Sequence, residues 1–122
     1  MDELKNVLFT KTHEWVKFED ETTAYIGLSD YAQSEMGDVV FVNLEEQECE
    51  VGDTIGDAES VKAVSDIYSP FTGEIVEINE VIVDDPGAIN RDPYGTWLCK
   101  YINISDKEEL LSLEEYEESI KE

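Results

Sequence analysis

The stretch from Asp53 to Pro70 reads DTIGDAESVKAVSDIYSP, and its reading decides the fold. On either side of Lys62, DTIGDAESV and AVSDIYSP mix β-branched and small residues with polar ones, so both are strand candidates. Two strands this close in sequence pair through a tight turn. ESVKAVSD becomes a hairpin with Lys62 at or near its tip, and Pro70 and Gly73 then stop the second strand. Lys62 is also the only basic residue between Lys17 and Arg91. A lysine on a wet turn ordinarily does nothing beyond keeping it soluble, but a segment that fills its surface with Asp and Glu and retains one amine points to a use for it.

Outward from the hairpin, short runs rich in β-branched and aromatic residues recur: WVKFED (15–20), TTAYIGL (22–28), DVVFVNL (38–44), EIVEIN (74–79) and TWLCKYINI (96–104). Gly, Asp, Asn and Pro punctuate them, as in an all-β barrel or sandwich. Helical signals are confined to DYAQSEM, capped by Ser29, and to the tail SDKEELLSLEEYEESIKE, where Ser105 is the expected N-cap and Leu110, Leu111, Leu113 and Ile120 form an apolar edge. An internal echo matches Gly37–Asn43 with Gly73–Asn79, each followed by a further glycine, Gly52 or Gly87. It implies two similar strand-turn-strand units, one on each side of the lysine.

The 122 residues suit one domain, 1–122, with a single core. Eight basic against 31 acidic residues give a net charge of -23, which repels phosphate backbones and anionic lipid alike, so neither nucleic acid nor membrane is an expected partner. The same field favours encounter with basic patches on proteins. The segment MDELKNVLF has neither the basic region nor the apolar run of a secretory signal, and the expectation is a cytoplasmic location, or a mitochondrial matrix one if a presequence has been removed. Cys49 and Cys99 are too few and too far apart for a disulfide framework or a thiol metal site, and read as packed or half-exposed thiols. His13 is the sole histidine. That excludes a His-based metal site and leaves a packed or capping imidazole as its ordinary role. Glycines occur singly, with no phosphate-binding loop, and carboxylate pairs arise by chance in so acidic a chain.

Four segments then carry a family. AESVKAVSDIYSPFTGEIVEIN (58–79), THEWVKFED (12–20), YIGLSDYAQSEMGDVVFVNLEE (25–46) and INRDPYGTWLCKY (89–101) closely resemble the H protein of the glycine cleavage system. The likeness runs in the family's order from about Lys11 to the C-terminal helix. The resemblance implies a mainly β barrel-sandwich hybrid of lipoyl-domain type, with a short internal helix and a C-terminal helix. It also implies lipoic acid joined to Lys62 by an amide, which cancels the lysine charge and lengthens its stem into a flexible arm. By the same likeness, the arm serves a glycine decarboxylase (P protein), an aminomethyltransferase (T protein) that uses tetrahydrofolate, and a dihydrolipoamide dehydrogenase (L protein), while the carrier itself catalyses nothing.

An aminomethyl sulfide decomposes in open water, and in similar proteins the loaded arm folds into a cleft on the carrier. The matching positions here are Thr12, Glu14 and Asp66, whose carboxylates suit an ammonium and whose hydroxyl suits a hydrogen bond. Their ordinary alternatives are strand capping for Thr12 and Glu14 and a turn acid for Asp66. Glu59 and Asp66, close to the lysine, are candidates for recognition by lipoylating enzymes. Two departures bear on partner contacts: Tyr31 stands where the family commonly has histidine, and DPYGTWLCKY is about one residue short. An alternative reading is therefore an H-like relay that delivers lipoyl or octanoyl groups to other complexes. Valine and alanine flanking Lys62, rather than methionines, argue against a biotinyl carrier, and an unmodified acidic adaptor would leave the lysine incidental. A shuttle making transient contacts is expected to be a monomer.

Overall fold

A computed structural model describes residues 6–121. Among them the chain forms β1 (Val7–Phe9), β2 (Glu14–Asp20), β3 (Thr23–Leu28), α1 (Asp30–Met36), β4 (Val39–Leu44), β5 (Gln47–Cys49), β6 (Thr54–Ser60), β7 (Val64–Tyr68), β8 (Phe71–Ile78), α2 (Glu80–Asp84), α3 (Ala88–Arg91), β9 (Cys99–Lys107) and α4 (Leu113–Ser119). The strands make a six-stranded sheet, ordered β1-β2-β3-β9-β8-β5, and a three-stranded sheet, ordered β4-β6-β7. The mainly β barrel-sandwich expected from the sequence is the fold adopted.

Period-two alternation explains the layering, with a register shift at Thr54–Gly56 of β6 that lets Ile55 and Ala58, three residues apart, enter the same core. Val16, Ala24, Ile26, Phe71, Ile75 and Tyr101 of the large sheet and Val39, Ile55, Ala58 and Ile67 of the small one are buried in a common core. Ser69 turns the chain from the small sheet to the large. Its buried hydroxyl donates to the Phe71 carbonyl at 2.7 Å and lies 2.8 Å from Tyr101 Oη, so the corner carries no unsatisfied polar group. A second cluster, Val7, Phe9, Trp15 and Tyr116, attaches α4 to β1 and β2. Both cysteines are buried and unpaired, in line with the expectation of packed thiols.

Several local expectations need correction. Ser105 does not cap the last helix: it lies inside β9, whose pairing with β8 runs to Phe71 opposite Lys107. The helix begins seven residues later. Ser112 accepts from the Glu115 amide at 3.1 Å, and the Glu115 carboxylate accepts from the Ser112 amide at 2.9 Å, closing a reciprocal capping box. Gly73 does not end a strand. It sits within β8 opposite Cys49, where a methyl group would come within 3.1 Å of the Ile102 carbonyl oxygen, so the glycine permits close approach by β9. The echoing segments do fall on strands, β4 and β8, one in each sheet. The likeness ends there, because β5 follows β4 whereas the short helices α2 and α3 follow β8. Those helices, and strands β1 and β5, are too short to leave a periodic signal.

The capping assignment separates two serines. Ser112→Ala should cost about 1 kcal/mol in urea denaturation, whereas Ser105→Ala, on an exposed strand end, should stay within about 0.5 kcal/mol of wild type.

Candidate functional site

The β6–β7 hairpin is closed by one side chain. The Ser60 amide donates to the Ala63 carbonyl at 2.8 Å, and its hydroxyl accepts from the amides of Lys62 and Ala63 at 3.3 and 3.1 Å. A serine does this because its short hydroxyl can fold over its own backbone and stand in for a turn hydrogen bond. The Val61 amide donates to the Asp38 carbonyl at 3.0 Å, tying the tip to the segment leading into β4. Lys62 is exposed at this tip, as expected, between Val61 at 70% and Val64 at 62% exposure. Among the described residues its amine makes no ion pair, and its stem lies over Gly37, where a methyl group would stand 3.5 Å from Lys62 Cε. Gly37 has φ of +81°, which ends α1 in a conformation that side chains rarely take.

The segment between β1 and β2 builds a second feature. Thr10 and Thr12 both donate hydroxyl hydrogen bonds to Glu14 Oε1, at 2.6 and 2.5 Å, and Thr10 Oγ1 accepts from the Glu14 amide at 3.0 Å. Glu14 is only 1% exposed. Burial pushes its carboxyl up to about 7, against the opposing pull of the two threonine hydroxyls and the Tyr68 amide of β7. A carboxyl so balanced takes up or releases a proton near neutrality, and once ionised it is a strong acceptor for an ammonium or hydroxyl.

Thr12 and Glu14 are thus brought into direct contact, with Thr12 exposed above the buried acid. Asp66 is on β7, two residues before Tyr68 and on the same strand face, but it is exposed and shares no hydrogen bond with that pair. It is paired across the hairpin with Asp57. Glu59 is on β6, half-buried, where Asn43 Nδ2 donates to it at 3.1 Å and to Asp57 at 2.7 Å. Thr10, Ser60 and Gly37 escaped the sequence reading. Thr10 had a usable signal, since a threonine four residues before a buried acid is a ready donor, whereas Gly37 is legible only once Lys62 lies over it.

The Glu14 environment has a thermodynamic signature. The unfolded chain loses this proton near 4.5 and the folded chain near 7, so the folded state holds the extra proton between those values. Stability therefore falls as pH rises through that window and levels off above it. Glu14→Gln should remove that fall, so wild type minus variant should slope by up to about 1.4 kcal/mol per pH unit in urea titrations. A difference independent of pH would contradict the buried carboxyl.

Comparison with known proteins gives one family. Residues 7–122 match the family model described as glycine cleavage H-protein. A glycine cleavage system H protein from Lachnoclostridium phytofermentans is 55% identical over 99% of this chain and 97% of its own length. One from Clostridium botulinum is 50% identical over 100% and 96%, and one from a Thermoanaerobacter species 43% over 100% and 99%. The crystal structure of a glycine cleavage system H protein from Mycobacterium marinum superposes with a TM-score of 0.83 at 35% identity, covering 91% of this chain and 93% of that one. A hairpin lysine, a buried acid under two threonines and full-length likeness at this level lead to one conclusion: the chain belongs to the glycine cleavage H-protein family.

Proposed function

We propose that this protein is the lipoyl carrier of glycine cleavage, with lipoic acid attached through an amide to Lys62. The observation that carries the reading is the placement at a hairpin tip of an exposed lysine whose amine, among the described residues, makes no ion pair. The residues present suit the group. An exposed amine is open to acylation, Ser60 keeps the turn closed without using the lysine side chain, and Gly37 leaves the stem a smooth bed. Glu59, held by Asn43 three residues before the lysine, is available to lipoylating enzymes as a recognition mark.

When bound, the group would supply a dithiolane able to take up the aminomethyl unit of glycine and to end as a dithiol once that unit has been passed on. The chain's own residues present, shelter and select. The tip offers Lys62 to several enzymes in turn, and tethering turns each visit into a local encounter. Thr12 and Glu14 form the receptor for an ammonium on the returning arm, with the Glu14 carboxylate as acceptor and burial excluding water. Asp66, exposed on β7 of the small sheet, adds negative charge for the same purpose. The partners are the glycine decarboxylase, the aminomethyltransferase and the dihydrolipoamide dehydrogenase, which do the chemistry while this carrier does none. A net charge of -23 suits brief, salt-sensitive docking on basic surfaces. The working unit is one domain acting as a monomer in the cytoplasm. Among the described residues no helix is long and apolar enough to cross a membrane.

Intact mass of wild type and Lys62→Arg, expressed in cells supplied with lipoate, is the direct check. One added lipoyl group in wild type and none in the variant is expected. No added mass in either would leave an unmodified adaptor. Reconstitution with a glycine decarboxylase should then give glycine-dependent release of carbon dioxide. Modification of Lys62 without such release would favour the relay reading.

A further inference from the structure

His13 sits between Thr12 and Glu14 with φ of 75°, in the left-handed region that such a residue keeps only where its surroundings hold it there. Its amide donates to the Thr10 carbonyl at 3.2 Å and its carbonyl accepts from the Ser29 amide at 3.0 Å. Its ring lies 4.9 Å from Tyr31, and Nδ1 is 2.9 Å from Tyr116 Oη. Tyr116 comes from α4, 103 residues along the chain, and is 2% exposed. Its ring stacks on Phe9 at 4.4 Å and 6°, and the same hydroxyl lies 2.7 Å from Ser29 Oγ, which accepts from the Ala32 amide and so caps α1.

The hydroxyl joins two groups, Ser29 Oγ and His13 Nδ1. Stacking on Phe9 already fixes the ring, and Ser29 caps α1 through its own oxygen. What the hydroxyl adds to the backbone bond between Ser29 and His13 is a side-chain link from the start of α1 to the imidazole, so that the segment bearing Thr12 and Glu14 is held by its ring as well as by its backbone. We propose that Tyr116, acting through His13, is a positioning residue for the Thr12–Glu14 receptor. The inference rests on the carrier reading given above. The last helix thereby controls a site to which it contributes no direct contact with Glu14. Other titratable groups face this cluster: Glu35 toward His13, Glu108 toward Glu14, and Tyr31 and Tyr94 toward Tyr116. They stay unchanged in the variants below.

Tyr116→Phe keeps the stack and removes only the oxygen. In the unmodified full chain, NMR of the Glu14 carboxyl carbon should show its titration midpoint moved toward the ordinary carboxylate range by about half a pH unit or more, as water reaches a loosened segment. In carriers loaded by a glycine decarboxylase, ammonia release should rise about threefold or more, and Tyr116→Phe with Glu14→Gln should release no faster than Glu14→Gln alone. His13→Asn, which tolerates the left-handed conformation but lacks the ring, should give the same changes and serves if Tyr116→Phe folds poorly. An unmoved Glu14 midpoint overturns the proposal, and so does unchanged ammonia release where Glu14→Gln does accelerate it. If Glu14→Gln leaves release unaltered, the receptor reading itself fails, and the midpoint alone decides whether Tyr116 positions the segment.

Discussion

Val39, Ile55, Ala58 and Ile67 bury one face of the small sheet, and that burial is the constraint on which the rest depends. A hairpin of two strands is marginal in water, and the apolar face of this small sheet is buried in a core shared with the larger one. Because side chains alternate, committing Ala58 and Ile67 to the core fixes which residues of β6 and β7 face outward. A slip of one residue would turn the core residues outward together. The register Glu59 opposite Val64 then leaves four connecting residues, Ser60 to Ala63, and Lys62 is the third of them.

Electrostatics works against the fold at two places, one in the lysine hairpin and one at the Thr12–Glu14 pair. Asp57 and Asp66 face one another across β6 and β7, a like-charge pairing that destabilises a sheet, offset by Asn43 donating to Asp57. Glu14 is taken out of water, offset by two threonine hydroxyls. In a chain with 31 acids, surface carboxylates are unexceptional; a buried one, wrapped by hydroxyls, is not. Acylation of Lys62 would remove one of only eight positive charges and leave the tip more acidic still.

The parts of the structure that were legible are those set by local alternation and local caps. The hairpin around Lys62 and the helix begun by Ser29 are both of this kind. Ser105 and Ser112 show why other parts were not. Each is a serine followed within three residues by an acid, so local chemistry favours neither, and the extension of β9 along β8 as far as Lys107 decides between them. Gly73 looks like punctuation until β9 is seen crossing close to it. Thr12, Glu14 and Asp66 entered through family likeness rather than through spacing. The contact of His13 with Tyr116 joins opposite ends of the chain, and no window of sequence contains both.

The double tie at the hairpin, Ser60 folded over the turn and the Val61 amide held by Asp38, has a kinematic consequence. A loop that swung as a whole would let its cargo wander through a solid volume and would alter the surface each visitor meets. A root that stays put confines the free end to a shell of nearly constant radius about one fixed point. On the carrier reading proposed above, the time spent searching then shortens for any enzyme whose mouth lies on that shell, and every visitor finds the same landmark beside the pivot.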